Sequence, residues 1–149
     1  MITQGERIIS RLPYANPFLF VDKILSVNKD LIVGSYCFKL DEFFYSGHFV
    51  DNPVTPGVIL LECMGQIGIV SHALYLEGLH LTNQNFKISL TDLKSEFFEP
   101  VVPNTTVVVQ GRLKYMRAGK LRSNIRMIDA NTNNLIVICE ASGIIEKYG

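Results

Sequence analysis

A chain of 149 residues with zero formal net charge, 48% hydrophobic and 19% charged, is long enough to bury a core. It carries no global field that would draw it to nucleic acid or a membrane surface. Its three cysteines, Cys37, Cys63 and Cys139, are odd in number and widely spaced, which argues against a disulfide framework and reads as free thiols in a reducing compartment.

The first residues show no long apolar core or small-residue cleavage pattern, so no signal peptide is expected and the expected location is cytoplasmic. Residues 2–12 place Ile8, Ile9 and Leu12 on one side of a short helix, with Glu6 and Arg7 toward water. Pro13 ends it. Residues 18–27 predict a strand, Asn28-Lys29-Asp30 a tight turn, and residues 31–40 a second strand. A loop over residues 41–55 then leads to a helix that starts near Pro56, with the Thr55 hydroxyl as its cap, and stops before Gly78. That apolar run is long enough to suggest a membrane span, but Glu62, Gln66, Ser71 and His72 interrupt it. A helix apolar on all sides belongs in the middle of a core. Beyond it the period changes to two. Residues 86–98, 105–116, 121–128 and 135–145 predict strands, joined by turns at Ala118-Gly119-Lys120 and residues 131–134. With no linker or repeat, the expectation is one domain over residues 1–149. Its class is α+β, a single antiparallel sheet wrapped around one long helix.

The residues with chemical capacity gather between 47 and 76, in GHFVDNPVTPGVILLECMGQIGIVSHALYL. His48 suits a general base near neutral pH, although a loop histidine bonded for structure alone is the plainer reading. Glu62 lies two turns into the apolar helix and shares a face with Gln66. There a desolvated carboxylate tends to keep its proton, the state that can protonate a leaving hydroxyl. Pro56-Gly57-Val58 would present backbone N–H groups at a helix N-terminus to a developing oxyanion, and Gly57 would let a substrate come close. His72 and His80 read as surface or helix-end residues, and no metal-ligand spacing, phosphate loop or nucleophile elbow is present. The cations Arg112, Lys114, Arg117, Lys120, Arg122 and Arg126 cluster around one hairpin. They form either a solvated face or a dock for an acidic partner.

The opening LPYANPFLFVD, then Gly47-His48-Phe49, Pro53 to Val58, Leu61-Glu62, Met64 to Gln66, and finally FFEPVVP at 97–103 resemble FabZ-type 3-hydroxyacyl-[acyl-carrier-protein] dehydratases in ordered combination. The resemblance implies a hot-dog fold and a dimer or trimer of dimers whose sites take histidine and glutamate from different subunits. It implies an acyl carrier protein bearing a 3-hydroxyacyl chain as partner, and no cofactor. His48 would take the α-proton, Glu62 would orient or protonate the departing hydroxyl, the Gly57 N–H would hold the thioester carbonyl, and Gln66 would support the site. Tyr45 and Phe49 would line the mouth of an acyl tunnel, with Val58 among the substrate contacts. The family commonly reads GHFPGHPVMPG where this chain has Val50-Asp51-Asn52 and Thr55, and Asn104-Thr105 stands where Gly-Asp is usual. A hot-dog acyl thioesterase and a non-catalytic acyl-binding subunit are the rival readings.

Overall fold

The computed structural model describes residues 1–80 and 85–148. Its spine is the helix Gly57–Glu77. This helix is long and apolar enough to cross a membrane, yet 78% of its most apolar window is buried within the fold. It is the core helix that the sequence pattern calls for.

Six strands surround it: β1 (Lys23–Val27), β2 (Leu31–Phe38), β3 (Phe86–Phe97), β4 (Thr105–Arg117), β5 (Lys120–Asp129) and β6 (Leu135–Lys147). They form one sheet in the order β1-β2-β4-β5-β6-β3, every neighbouring pair antiparallel. This is the hot-dog arrangement. Val107, Val109, Leu121, Met127 and Val137 project from the sheet into the same core as Met64, Ile67 and Leu74 of the helix. Each buried side chain of this size contributes about 1.5–3 kcal/mol relative to exposure. Helix and sheet come closest at Gly68 and Gly111, where a Cβ added to Gly111 would lie 2.9 Å from the Gly68 Cα. The β4–β5 hairpin turns through Ala118 (φ 51°) and Gly119 (φ 77°), the paired positive φ values that match strand twist in a two-residue turn.

The N-terminal helix α1 spans Gln4–Arg11. Thr3 and Glu6 close a reciprocal capping box at its start, and Ile8 is fully buried beneath it.

Three expectations change in the structure. The first strand begins at Lys23 rather than residue 18, because the Phe20 N–H and the Phe18 carbonyl bond to the Gln66 carboxamide instead of a neighbouring strand. The central helix begins at Gly57, with Pro56 at its cap and no side-chain cap bond. The Thr55 hydroxyl instead lies 2.6 Å from the Tyr45 hydroxyl. His72 is not at the surface: it is fully buried, with Nε2 2.9 Å from the Asn28 carbonyl. His80 is exposed.

Candidate active site

Backbone bonds close the loop that carries His48 upon itself. The Val54 N–H donates to the His48 carbonyl, and Phe49 and Asn52 exchange N–H···O bonds, all at 2.9 Å. Asp51 takes the left-handed conformation (φ 61°) that this closure needs, one that aspartate adopts more readily than bulkier residues. Two further ties fix the loop to the fold. The Thr55 N–H donates to the Val101 carbonyl at 2.8 Å, and buried Tyr45 meets Thr55 through their hydroxyls.

His48 is oriented by the same loop. Its Nδ1 lies 2.8 Å from the Val54 carbonyl. A carbonyl only accepts, so Nδ1 carries the hydrogen and Nε2 keeps a lone pair. The Phe49 ring stacks on the imidazole with centroids 3.8 Å apart, while the ring itself is about half exposed.

At the start of the central helix, the first internal bonds run from the Ile59 and Leu60 N–H groups to the Pro56 carbonyl. The N–H groups of Gly57 and Val58 precede them and, among the described residues, are the unpaired donors of a helix N-terminus. The Val58 side chain is exposed. Above Gly57 lies the Phe97 ring: a Cβ at residue 57 would sit 3.2 Å from two of its carbons.

The carboxylate half of the site is built one turn further along. Gln66 is fully buried and uses both ends of its amide. Its Oε1 accepts from the Phe20 N–H at 2.8 Å. Its Nε2 donates to the Phe18 carbonyl at 2.9 Å and to Glu62 Oε2 at 3.1 Å. One oxygen of Glu62 is thereby fixed, and Oε1 takes no hydrogen bond among the described residues. The carboxylate is half-buried rather than enclosed. Tyr14 lies close enough to feel its charge: burial, with Glu62 adding to it, pushes the phenol up to about 12. Cys63 donates its thiol to the Phe20 carbonyl at 3.3 Å, and burial pushes it well above the ordinary thiol range. That thiol is structural.

The helix is built to carry this constellation. Gln66–Ser71 is a π-helical turn, and the Ser71 hydroxyl donates to the Gln66 carbonyl at 2.6 Å. Such turns widen a helix locally and are common beside functional residues.

Of the residues singled out from sequence, Glu62 and Gln66 are brought into direct contact. His48 and Gly57 sit at either end of the loop that enters the helix. No hydrogen bond joins His48 to Glu62 within the chain: the imidazole is held by Val54 and the carboxylate by Gln66. Tyr45 is buried and anchors the loop through its hydroxyl on Thr55. Tyr14, Phe97 and Val54 lie inside the motifs quoted from the sequence, which gave none of them a role at the site. Among the described residues no group of three or more His, Cys, Asp or Glu side chains gathers at metal-binding distance.

Comparison with known proteins gives a consistent result. The family model described as a FabA-like domain matches residues 12–141. The 3-hydroxyacyl-[acyl-carrier-protein] dehydratase FabZ of Desulfotalea psychrophila is 36% identical over 118 residues, covering 76% of this chain and 77% of that protein. The bifunctional enzyme LpxC/FabZ of Porphyromonas gingivalis is 39% identical over 108 residues, 72% of this chain but only 23% of that longer protein. Among solved structures, the dehydratase heterocomplex ApeI:P from Xenorhabdus doucetiae superposes with a TM-score of 0.76. It covers 95% of this chain and 91% of that one at 12% identity, a likeness of fold.

Proposed function

The chain belongs to the FabA-like family, and from that premise we propose that it dehydrates a 3-hydroxyacyl group carried on an acyl carrier protein to the trans-2-enoyl thioester. The observation that carries this reading is that the chain presents two preset groups, one in the loop before the central helix and one within its first turns. His48 has its basic nitrogen free, and Glu62 has one oxygen tied and the other available.

In this reading the thioester oxygen rests on the Gly57 and Val58 N–H groups, where the helix dipole favours the charge that develops as the α-carbon is deprotonated. His48 Nε2 takes the proton from C2. The C3–O bond breaks and the hydroxyl leaves as water with a proton delivered through Glu62. The proton on His48 then returns to the carboxyl, so that the balance is loss of one water. Residues of this chain supply every step, and no cofactor enters the reaction. The fixed donors matter because the α-proton is weakly acidic, and preorganised dipoles stabilise the enolate-like charge without reorganising.

The active unit in this proposal is a homodimer whose sites each draw His48 from one protomer and Glu62 from the other, with assembly to a trimer of dimers open to it. Two observations support the dimer. The two residues are held by separate partners within the chain. Strand β3 also ends the sheet with one edge unpaired while carrying Leu90, Leu93 and Phe97 exposed, a combination that invites pairing with a second copy. A cytoplasmic place of action accompanies this reading, in keeping with three free thiols.

Intact-protein mass spectrometry of a 3-hydroxyacyl carrier protein, incubated with wild type, His48→Ala and Glu62→Ala, tests the proposal. Loss of one water from the acyl group is expected with wild type. Each substitution is expected to slow it by on the order of 10²–10⁴-fold, the usual worth of a positioned acid or base. Release of a free acid would make the enzyme a thioesterase. Saturable binding of the acyl carrier without turnover would make it a binding subunit.

A further inference from the structure

The face of the sheet turned away from the central helix holds a groove. Along β4, β5 and β6 the buried residues alternate with Gln110, Arg112, Asn124, Arg126, Ile138 and Glu140, which places these six on the outer face. With Lys94 and Glu96 of β3 and Leu31 of β2 they line a groove of about 540 Å³. That volume lies within the range of small-molecule sites.

The charges around this groove divide into two sets. Glu140 accepts from Lys114 at 2.9 Å and from Arg122 at 3.1 Å. Arg122 also reaches Asp92 at 3.1 Å. These contacts hold the Glu140 carboxyl far down, to about 2. That network is self-satisfied and forms one wall. Across from it, β4 and β5 register Arg112 opposite Asn124 and Gln110 opposite Arg126. The four side chains occupy neighbouring positions on one face, arginines on one diagonal and carboxamides on the other. Among the described residues none of the four, nor Lys94, has a side-chain hydrogen bond or ion pair. Glu96 and Glu140 close the groove toward β3. The unpaired cationic ground is therefore a confined patch, suited to one anionic group rather than to the track of a polyanion.

We propose that this groove binds a phosphate-bearing organic molecule, its phosphate held by Arg112 and Arg126 and its apolar body resting on Ile138, the cross-strand neighbour of Arg126. A phosphate monoester brings three terminal oxygens and up to two negative charges to the two guanidinium groups and two carboxamides, against two oxygens and one charge for a carboxylate. Ile138 is 39% exposed, an apolar residue beside Arg126 and Glu96. The groove lies across the sheet from Gly57 and Glu62, so this ligand is distinct from the acyl substrate.

Calorimetric titration of the full-length protein with phenyl phosphate, inorganic phosphate and benzoate tests the proposal. Phenyl phosphate is expected to bind saturably, at least about tenfold tighter than either control, since each control lacks one of the two contacts. Arg112→Gln and Arg126→Gln are each expected to weaken it about tenfold, in keeping with loss of a charge-assisted bond. Glu96→Gln, which removes the unpaired carboxylate from the lining, should tighten it. Dehydration of the carrier-bound substrate should stay unchanged in all three variants. No saturable binding, binding that survives Arg112→Gln together with Arg126→Gln, or equal affinity for inorganic phosphate or benzoate would overturn the assignment.

Discussion

Gln66 makes three hydrogen bonds from a fully buried position, and its removal tests the site at the scale of one residue. Gln66→Ala strands the Phe20 N–H and the Phe18 carbonyl and releases Glu62. Leaving the buried Phe20 N–H unsatisfied costs about 1–3 kcal/mol, whereas Phe18 is exposed, so urea denaturation should show a loss of about 1–3 kcal/mol. Activity should fall even in the fraction that remains folded. A contrasting outcome is expected at Ser123. It is fully buried and its hydroxyl has no partner among the described residues, so Ser123→Ala should leave stability unchanged or raise it by up to about 1 kcal/mol.

His72 yields a prediction in pH. Burial holds its imidazole below the ordinary histidine value, against the opposing pull of the Asn28 carbonyl and the Asp30 charge. The folded state thus disfavours the proton more than the unfolded chain does. Its contribution is fully present above the unfolded histidine pKa of about 6.5. It is lost as pH falls from there through the lower folded value. Urea midpoints measured at about pH 7.5 and about pH 5 should show a drop that His72→Leu reduces. An equal drop in both proteins would remove His72 as the cause.

At the scale of elements, the contact between central helix and sheet is set by Gly68 and Gly111. A Cβ at residue 111 meets the Gly68 Cα at 2.9 Å and its carbonyl oxygen at 3.4 Å. Both are backbone atoms with no rotamer to yield. Gly111→Ala should therefore cost about 1–3 kcal/mol in chemical denaturation, the range for overpacking a tight core. Period and turn residues made most elements legible beforehand: the apolar helix, four long strands and both hairpins lie within a few residues of expectation. The exceptions share one cause. Phe18 and Phe20 look like strand, yet a side chain more than forty residues away takes their backbone groups. His72 looks like a helix-end polar residue, yet it meets the Asn28 carbonyl across the fold. Long-range partners leave no local period to read. The site divides the same way: the His48, Gly57, Glu62 and Gln66 motif was readable, whereas Phe97 over Gly57 and Tyr14 beside Glu62 exist only once the chain is folded.

At the scale of the whole molecule, the proposed site has two parts with separate partners, His48 on Val54 and Glu62 on Gln66, and the sheet ends at β3. The proposed pairing places His48 of one copy with Glu62 of another. His48→Ala and Glu62→Ala, each inactive alone, are therefore unfolded together in equal amounts, refolded, and assayed for water loss from the 3-hydroxyacyl carrier. Random pairing makes half the dimers mixed, each with one intact site and one doubly altered site, so recovery of about a quarter of wild-type activity is predicted. Activity no higher than that of the separate variants, with mixed dimers demonstrably formed, would contradict a site shared between protomers.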